Sequence, residues 1–177
     1  VVNNTESVNW VTAASAVASP SVVTISVSGQ TSAGNGSGVI LTKDGYILTN
    51  SHVVTLEGTT SGVELQVKTY DGHIYKASVV GRDPINDLAV IKVDAAATFE
   101  PIEFADSSAV NVGDSVVAIG APLGLSSTVT TGIVSALNRT IQVANSDVPS
   151  EANGGLQFFS GTGQSVSLRV IQTDAAI

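Results

Sequence analysis

Ser21-Val22-Val23-Thr24-Ile25-Ser26-Val27-Ser28 decides the fold. Val23, Ile25 and Val27 alternate with Thr24, Ser26 and Ser28, a period of two that turns one face of an extended strand inward and the other to water. A Gly-rich turn follows. Two Asp-Gly pairs, each a strong hairpin signal, then join further strands: residues 36–42 and 45–49 through Lys43-Asp44-Gly45, and residues 63–70 and 73–80 through Asp71-Gly72. Residues 88–93, strongly apolar, make a sixth strand. Six short antiparallel strands at this spacing predict a closed barrel.

Outward from that barrel the chain reads as three parts. Residues 1–20 form an N-terminal helical segment, with Asn3 as N-cap, Glu6 closing a capping box, Val8, Val11, Ala14 and Val17 on one face and Pro20 ending it. Trp10 reads as a packing anchor or a subunit contact. Residues 21–98 are the first barrel, and the stretch 94–101, with its Ala-Ala-Ala run and Pro101, reads as a linker. Residues 102–177 hold a second, incomplete barrel, with strands over 115–119, 126–137 and 166–174. Between them Thr140 to Ser165 is long, polar and Gly-rich and carries Phe158 and Phe159, which predicts a mobile regulatory loop. The fold class expected is all-β, two antiparallel β-barrels.

Composition agrees. Of 177 residues 43% are hydrophobic, enough for a sizeable core, and only 12% are charged, while glycine, Val, Thr, Ser and Ile recur. A net charge of −8, with seven Lys and Arg that never cluster, argues against a nucleic-acid or anionic-membrane partner, since both demand a basic face. Without cysteine there is no disulfide framework and no thiolate chemistry. No apolar run approaches the roughly 18 residues that span a bilayer, and no signal peptide is visible. A first residue of Val and no methionine lead us to expect an excised or processed piece of a longer chain, with room for a membrane anchor upstream of residue 1.

The chemistry centres on Leu48-Thr49-Asn50-Ser51-His52-Val53-Val54, which places one of two histidines just past a strand. A lone histidine there reads first as a hydrogen-bonded structural residue. Asp87, at the mouth of the apolar sixth strand, shifts the balance toward a general base oriented by a carboxylate. His73, at a hairpin exit, reads as solvent-facing, and Asp44, Asp71, Asp94 and Asp114 as turn residues. Ser37, among Gly34, Gly36 and Gly38, marks a turn entering a strand and misses the spacing of a nucleophile elbow; Ser165 lies ahead of its strand. No His or carboxylate cluster has metal-ligand spacing, so neither metal nor cofactor is expected.

Thr49-Asn50-Ser51-His52-Val53-Val54, and Gly81-Arg82-Asp83-Pro84 through Asp87-Leu88-Ala89-Val90, resemble the histidine and aspartate motifs of the HtrA/Deg-like trypsin-fold serine proteases. Residues 113–124 and 131–137 are similar to that family's second-barrel strands, and Ile171-Gln172-Thr173-Asp174-Ala175-Ala176-Ile177 to the run just before its nucleophile. Five motifs in chain order carry the resemblance over residues 21–177. It implies a trypsin-like fold, a Ser-His-Asp triad in which His52 is the base and Asp87 its orienter, and endopeptidase action on unfolded or damaged proteins in protein quality control. The family continues Asn-Pro-Gly-Asn-Ser-Gly-Gly, so the serine is expected as the fifth residue beyond Ile177, and residues 1–177 alone are expected to be inactive. Counting back six positions puts Ala176 at the floor of the substrate pocket, with Ile177 narrowing it. The resemblance further implies an extracytoplasmic location (periplasm, cell surface or medium), homotrimerisation through the N-terminal segment, and a C-terminal peptide-binding domain outside this chain. A protease-fold binding or chaperone-like module without turnover is the alternative.

Overall fold

The computed structural model describes residues 2–29, 32–55, 62–120, 128–144 and 165–176. Six strands, β1 (Val22–Ser28), β2 (Ala33–Ile40), β3 (Tyr46–Thr49), β4 (Glu64–Lys68), β5 (Ile74–Asp83) and β6 (Leu88–Val93), close into an antiparallel barrel in the order β1-β2-β3-β6-β5-β4. The alternation in sequence is largely the alternation in space, with Thr24 of β1 the exception, buried between its neighbours. Val23, Ile25 and Val27 of β1 are buried and meet Ile40, Ile47, Leu65, Val67, Ala89, Ile91 and Val93 in one core, and closure leaves this sheet without an unpaired edge. The Asp-Gly turns form as expected, with Gly45 and Gly72 at φ of +93° and +91°, a region that glycine enters without steric cost.

The second strand starts earlier than the expected 36–42: Gly34-Asn35-Gly36-Ser37-Gly38 is strand throughout, pairing residue for residue with β1 from Val27↔Gly34 to Val23↔Gly38, so Ser37 lies within it rather than at a turn entering it. Its glycines answer to crowding. A Cβ on Gly38 would sit 2.7 Å from Ile47 and 2.8 Å from Ile25, and one on Gly36 would sit 2.6 Å from both methyls of Val53. The stretch 94–101 also differs from a free linker. Phe99 is buried against the barrel, edge-on to Tyr75 with ring centroids 5.5 Å apart, and its N–H donates to the Lys43 carbonyl. Ile102 N–H likewise donates to Ile40, so the chain leaving the barrel is stitched over the end marked by Gly45.

Two further expectations are corrected. The N-terminal segment is a short 3₁₀ turn, Thr5–Ser7, capped by Asn4, followed by α1 (Trp10–Ala18), capped by Asn9, whose side chain accepts from Thr12 N–H at 3.0 Å. Asn3 is therefore not the cap. A second asparagine nearer the apolar run competes successfully for that role, and Val8 and Val17 stay exposed. β7 (Ser115–Gly120), β8 (Thr128–Ala144) and β9 (Ser165–Thr173) form an open three-stranded antiparallel sheet, where an incomplete second barrel was expected. β8 runs on to Ala144, paired with β9 from Val134↔Thr173 to Ala144↔Ser165, so residues 140–144 are strand rather than loop. Phe158 and Phe159 lie outside the described residues. Val129, Ile133 and Ile171 remain exposed on this sheet.

Candidate active site

The register of β3 against β6 puts Thr49 opposite Ala89. The residues just after β3 and just before β6 must therefore meet at one barrel end. After β3 the chain makes a single 3₁₀ turn, Ser51–Val54. Ser51, Val53 and Val54 of that turn are buried, the two valines in the barrel core. His52 is the residue left facing outward, its side chain 42% exposed.

Asp87 arrives from the other side on a turn organised by Asp83. The Asp83 carboxylate accepts from the backbone N–H of Ile85 and Asn86, each at 3.1 Å, and from the Asn86 amide at 2.6 Å. These donors, the Asn86 side chain foremost, hold the Asp83 carboxyl below the usual carboxylate range. Asp87 itself adopts φ +52°, a left-handed conformation that aspartate tolerates better than most residues.

The two ends lock together through Asp87. Its Oδ2 lies 2.7 Å from His52 Nδ1, and its Oδ1 accepts from His52 N–H at 3.0 Å. Its backbone carbonyl accepts from Ser51 N–H at 3.2 Å and from the Asn50 amide at 2.9 Å, and that amide also reaches Oδ2 at 3.2 Å. Asp87 is only 5% exposed, and a carboxylate so buried requires such donors. An ionised carboxylate accepts and never donates, so the proton of the neutral imidazole sits on Nδ1 and the basic lone pair on Nε2. Such a ring can take a proton at Nε2 while the carboxylate stabilises the imidazolium that forms.

His52 and Asp87 are thus brought together. Ala176 is exposed just beyond the end of β9 on the second sheet, and Ile177 lies outside the described residues. Asp174 Oδ1 accepts from Ile133 N–H at 2.7 Å, tying the same tail to β8. Ser37 sits within β2, where its carbonyl accepts from the Thr49 hydroxyl, and Ser165 opens β9, roughly 26 Å of extended chain from Thr173. His73 is solvent-facing in the β4–β5 turn, 2.8 Å from Asp71 Oδ2. Thr69 and His73 hold the Asp71 carboxyl below its usual range. No group of three or more His, Cys, Asp and Glu among the described residues is placed to hold a metal ion, and no described helix is long and apolar enough to cross a membrane.

Residues that the sequence left unassigned complete the site. They are Asn50, which clamps Asp87; Gly36, which makes room for Val53; and Arg82, whose guanidinium donates to the Ser51 hydroxyl at 3.4 Å. Gly36 lies outside the two motifs, while for Asn50 and Arg82 the signal available in sequence was their place inside them. It gave no sign of their contacts.

Comparison with known proteins bears on this geometry. The family model of the trypsin-like peptidase domain matches residues 36–177. The chain is 41% identical over 162 residues to the serine protease PepD of Mycobacterium tuberculosis, covering 89% of this chain and 32% of that protein. It is 46% identical over 106 residues to the periplasmic serine endoprotease DegP of Escherichia coli, covering 59% of this chain and 21% of that protein. The crystal structure of Deg5 superimposes with a TM-score of 0.68 at 32% identity, covering 92% of this chain and 71% of that one. The chain therefore spans about a fifth to a third of the length of the curated relatives it matches.

Proposed function

The chain belongs to the trypsin-like peptidase family, among its HtrA/DegP-like serine proteases, and from that membership we propose that the protein carrying it is a serine endopeptidase acting on unfolded or damaged proteins outside the cytoplasm. The observation that carries the proposal is the 2.7 Å contact between His52 Nδ1 and Asp87 Oδ2 on a half-exposed ring. In this reading a serine supplied by the chain following Ile177 is the nucleophile. Nε2 of His52 takes its proton as the hydroxyl attacks the scissile carbonyl and returns it to the leaving amine, while Asp87 holds the tautomer and stabilises the imidazolium. Backbone N–H groups around that serine form the oxyanion hole.

Ala176 is the proposed pocket floor, with Ile177 beside it. An uncharged floor would leave a substrate Lys or Arg buried without a partner, at a cost of several kcal/mol. Asp174, the competing candidate for a charged floor, has its Oδ1 turned to Ile133 N–H of β8. Small and medium aliphatic side chains are the expected residues before the cut, in graded order, because each methylene is worth only about 1–3 kcal/mol. DegP is named a periplasmic protease, which supports the location. Trp10 and Val17, exposed seven residues apart on α1, support docking of that helix in a homotrimer.

The test uses the protein with its own sequence beyond Ile177. It should cleave an unfolded protein and react with a fluorophosphonate at a serine beyond that residue. His52→Ala should lower kcat by about 10⁶-fold, the loss seen when the base is removed from another triad enzyme. Near-full activity in His52→Ala would refute the triad, and binding of unfolded protein without turnover would establish the non-catalytic alternative.

A further inference from the structure

We propose that Asn50 is a positioning residue of the His52–Asp87 pair: its side-chain amide fixes the backbone and the carboxylate of Asp87 together, in the one orientation that keeps the imidazole proton on Nδ1. The consequence for turnover rests on the protease reading; the consequence for the tautomer does not.

Asn50 Nδ2 donates to the Asp87 carbonyl at 2.9 Å and to Oδ2 at 3.2 Å. Both partners are pure acceptors, so the amide must present its NH₂ to them; turned over, three oxygens would crowd one another. The two bonds hold different things. The first, shared with Ser51 N–H, pins a backbone carbonyl whose residue is at φ +52°, a conformation that persists only where its surroundings over-determine it. The second pins the same carboxylate oxygen that faces His52 Nδ1.

Together, Asn50, Ser51 and His52 aim four donors at one aspartate: the Asn50 amide, two successive backbone N–H groups and the imidazole. Without the Asn50 amide the carbonyl keeps Ser51 and Oδ1 keeps His52 N–H. Oδ2 then loses its second anchor, and the carboxylate can rotate away from the ring. The burial pattern separates this role from packing: Asn50 is itself exposed, whereas the group it holds is 5% exposed. Its contribution is directional.

The test compares Asn50→Leu, which keeps the shape and removes the donors, with Asn50→Asp, which keeps the shape and can only accept when ionised. Each is made in the protein with its own sequence beyond Ile177. The readout is the pair of ¹⁵N shifts of the His52 ring, from long-range ¹H–¹⁵N correlation of histidine-labelled protein, assigned by their absence in His52→Gln. The unmodified protein should show a single Nδ1-protonated form. Both variants should show a mixture of tautomers and, where the protein turns over, a kcat lower by about 10²-fold with KM unchanged, the scale of a misplacement near 1 Å. A packing role alone would move the melting temperature and spare the tautomer. Since the position is exposed both variants should fold, and whichever melts near the unmodified protein decides the matter. An undiminished Nδ1-protonated form in that variant would overturn the proposal. Absence of turnover in the unmodified protein would overturn the protease reading and leave this readout standing.

Discussion

Gly36→Ala should damage both the stability of the barrel and the geometry of the candidate site, although residue 36 lies within β2 and outside the turns that carry His52 and Asp87. A Cβ at residue 36 would lie 2.6 Å from both Cγ1 and Cγ2 of Val53 and 3.2 Å from its Cβ. That is about 0.8 Å short of the 3.4 Å at which ordinary contact begins, on the steep repulsive side of the dispersion well. Val53 has nowhere to recoil, being 8% exposed in a core shared with Ile25, Ile47 and Val54. The displacement must pass to the 3₁₀ turn that carries His52, and the 2.7 Å bond to Asp87 should lengthen by a comparable amount. Overpacking of this kind costs about 1–3 kcal/mol, which for a domain of this size lowers the melting temperature by roughly 2–12 °C. In the active protein kcat should fall by about 10²-fold. Gly81→Ala is the matched control, because no atom lies within 4 Å of its added Cβ, and restricting the unfolded chain there should be neutral or slightly stabilising. The assay is thermal unfolding by circular dichroism paired with peptidase kinetics. If Gly36→Ala melts and turns over like Gly81→Ala, the claim that glycine in β2 makes room for the histidine-bearing turn is wrong.

Phe99→Ala should cost about 3–5 kcal/mol, as other buried aromatic truncations do, since the ring plugs the barrel end beside Tyr75 and Gly45; urea denaturation that leaves the midpoint unchanged would return 94–101 to a passive linker. Asp83 has a folded-state carboxyl held below the usual range, so its contribution to stability is fully present above the unfolded value near 3.9 and is lost as pH falls through the lower folded value. The stability gap between the protein and Asp83→Ala should therefore shrink as pH drops from about 5 to about 2, and a gap that widened on acidification would reverse the sign assigned to this turn.

The first barrel was legible because β1 and β4 alternate, β6 is a short apolar run and two of the turns carry Asp-Gly, so the local preference and the global closure agree. The helix was misplaced for a physical reason: Asn3, Asn4 and Asn9 all offer capping oxygens, and a spacing rule cannot say which lies where the chain turns. Gly36 and Gly38 fall inside the strand expected over 36–42, but that expectation leaves Gly34 outside it and reads Ser37 as a turn entering it. Glycine in a strand and glycine in a turn look alike in sequence, and the distinction lies in what occupies the space a Cβ would take, here Ile25, Ile47 and Val53 from three other segments.

The site divides along the same line. His52 and Asp87 stood out because their chemistry is rare in a chain with two histidines and few charges, and because each sits at a strand end that the predicted barrel brings to one rim. What holds them could not be read in advance, since hydrogen-bond direction has no periodicity. Asn50 is an exposed polar residue at the end of a strand, which by pattern alone is indistinguishable from a solvated turn residue such as Asn111, whose amide serves only its own loop. The difference is made by a partner 37 residues away, presented in a left-handed conformation that its own turn imposes. A strand-end histidine and a carboxylate therefore identify a candidate pair, whereas the donors that orient the carboxylate, and hence the tautomer on which base catalysis depends, emerge only when the barrel closes and brings β3 against β6.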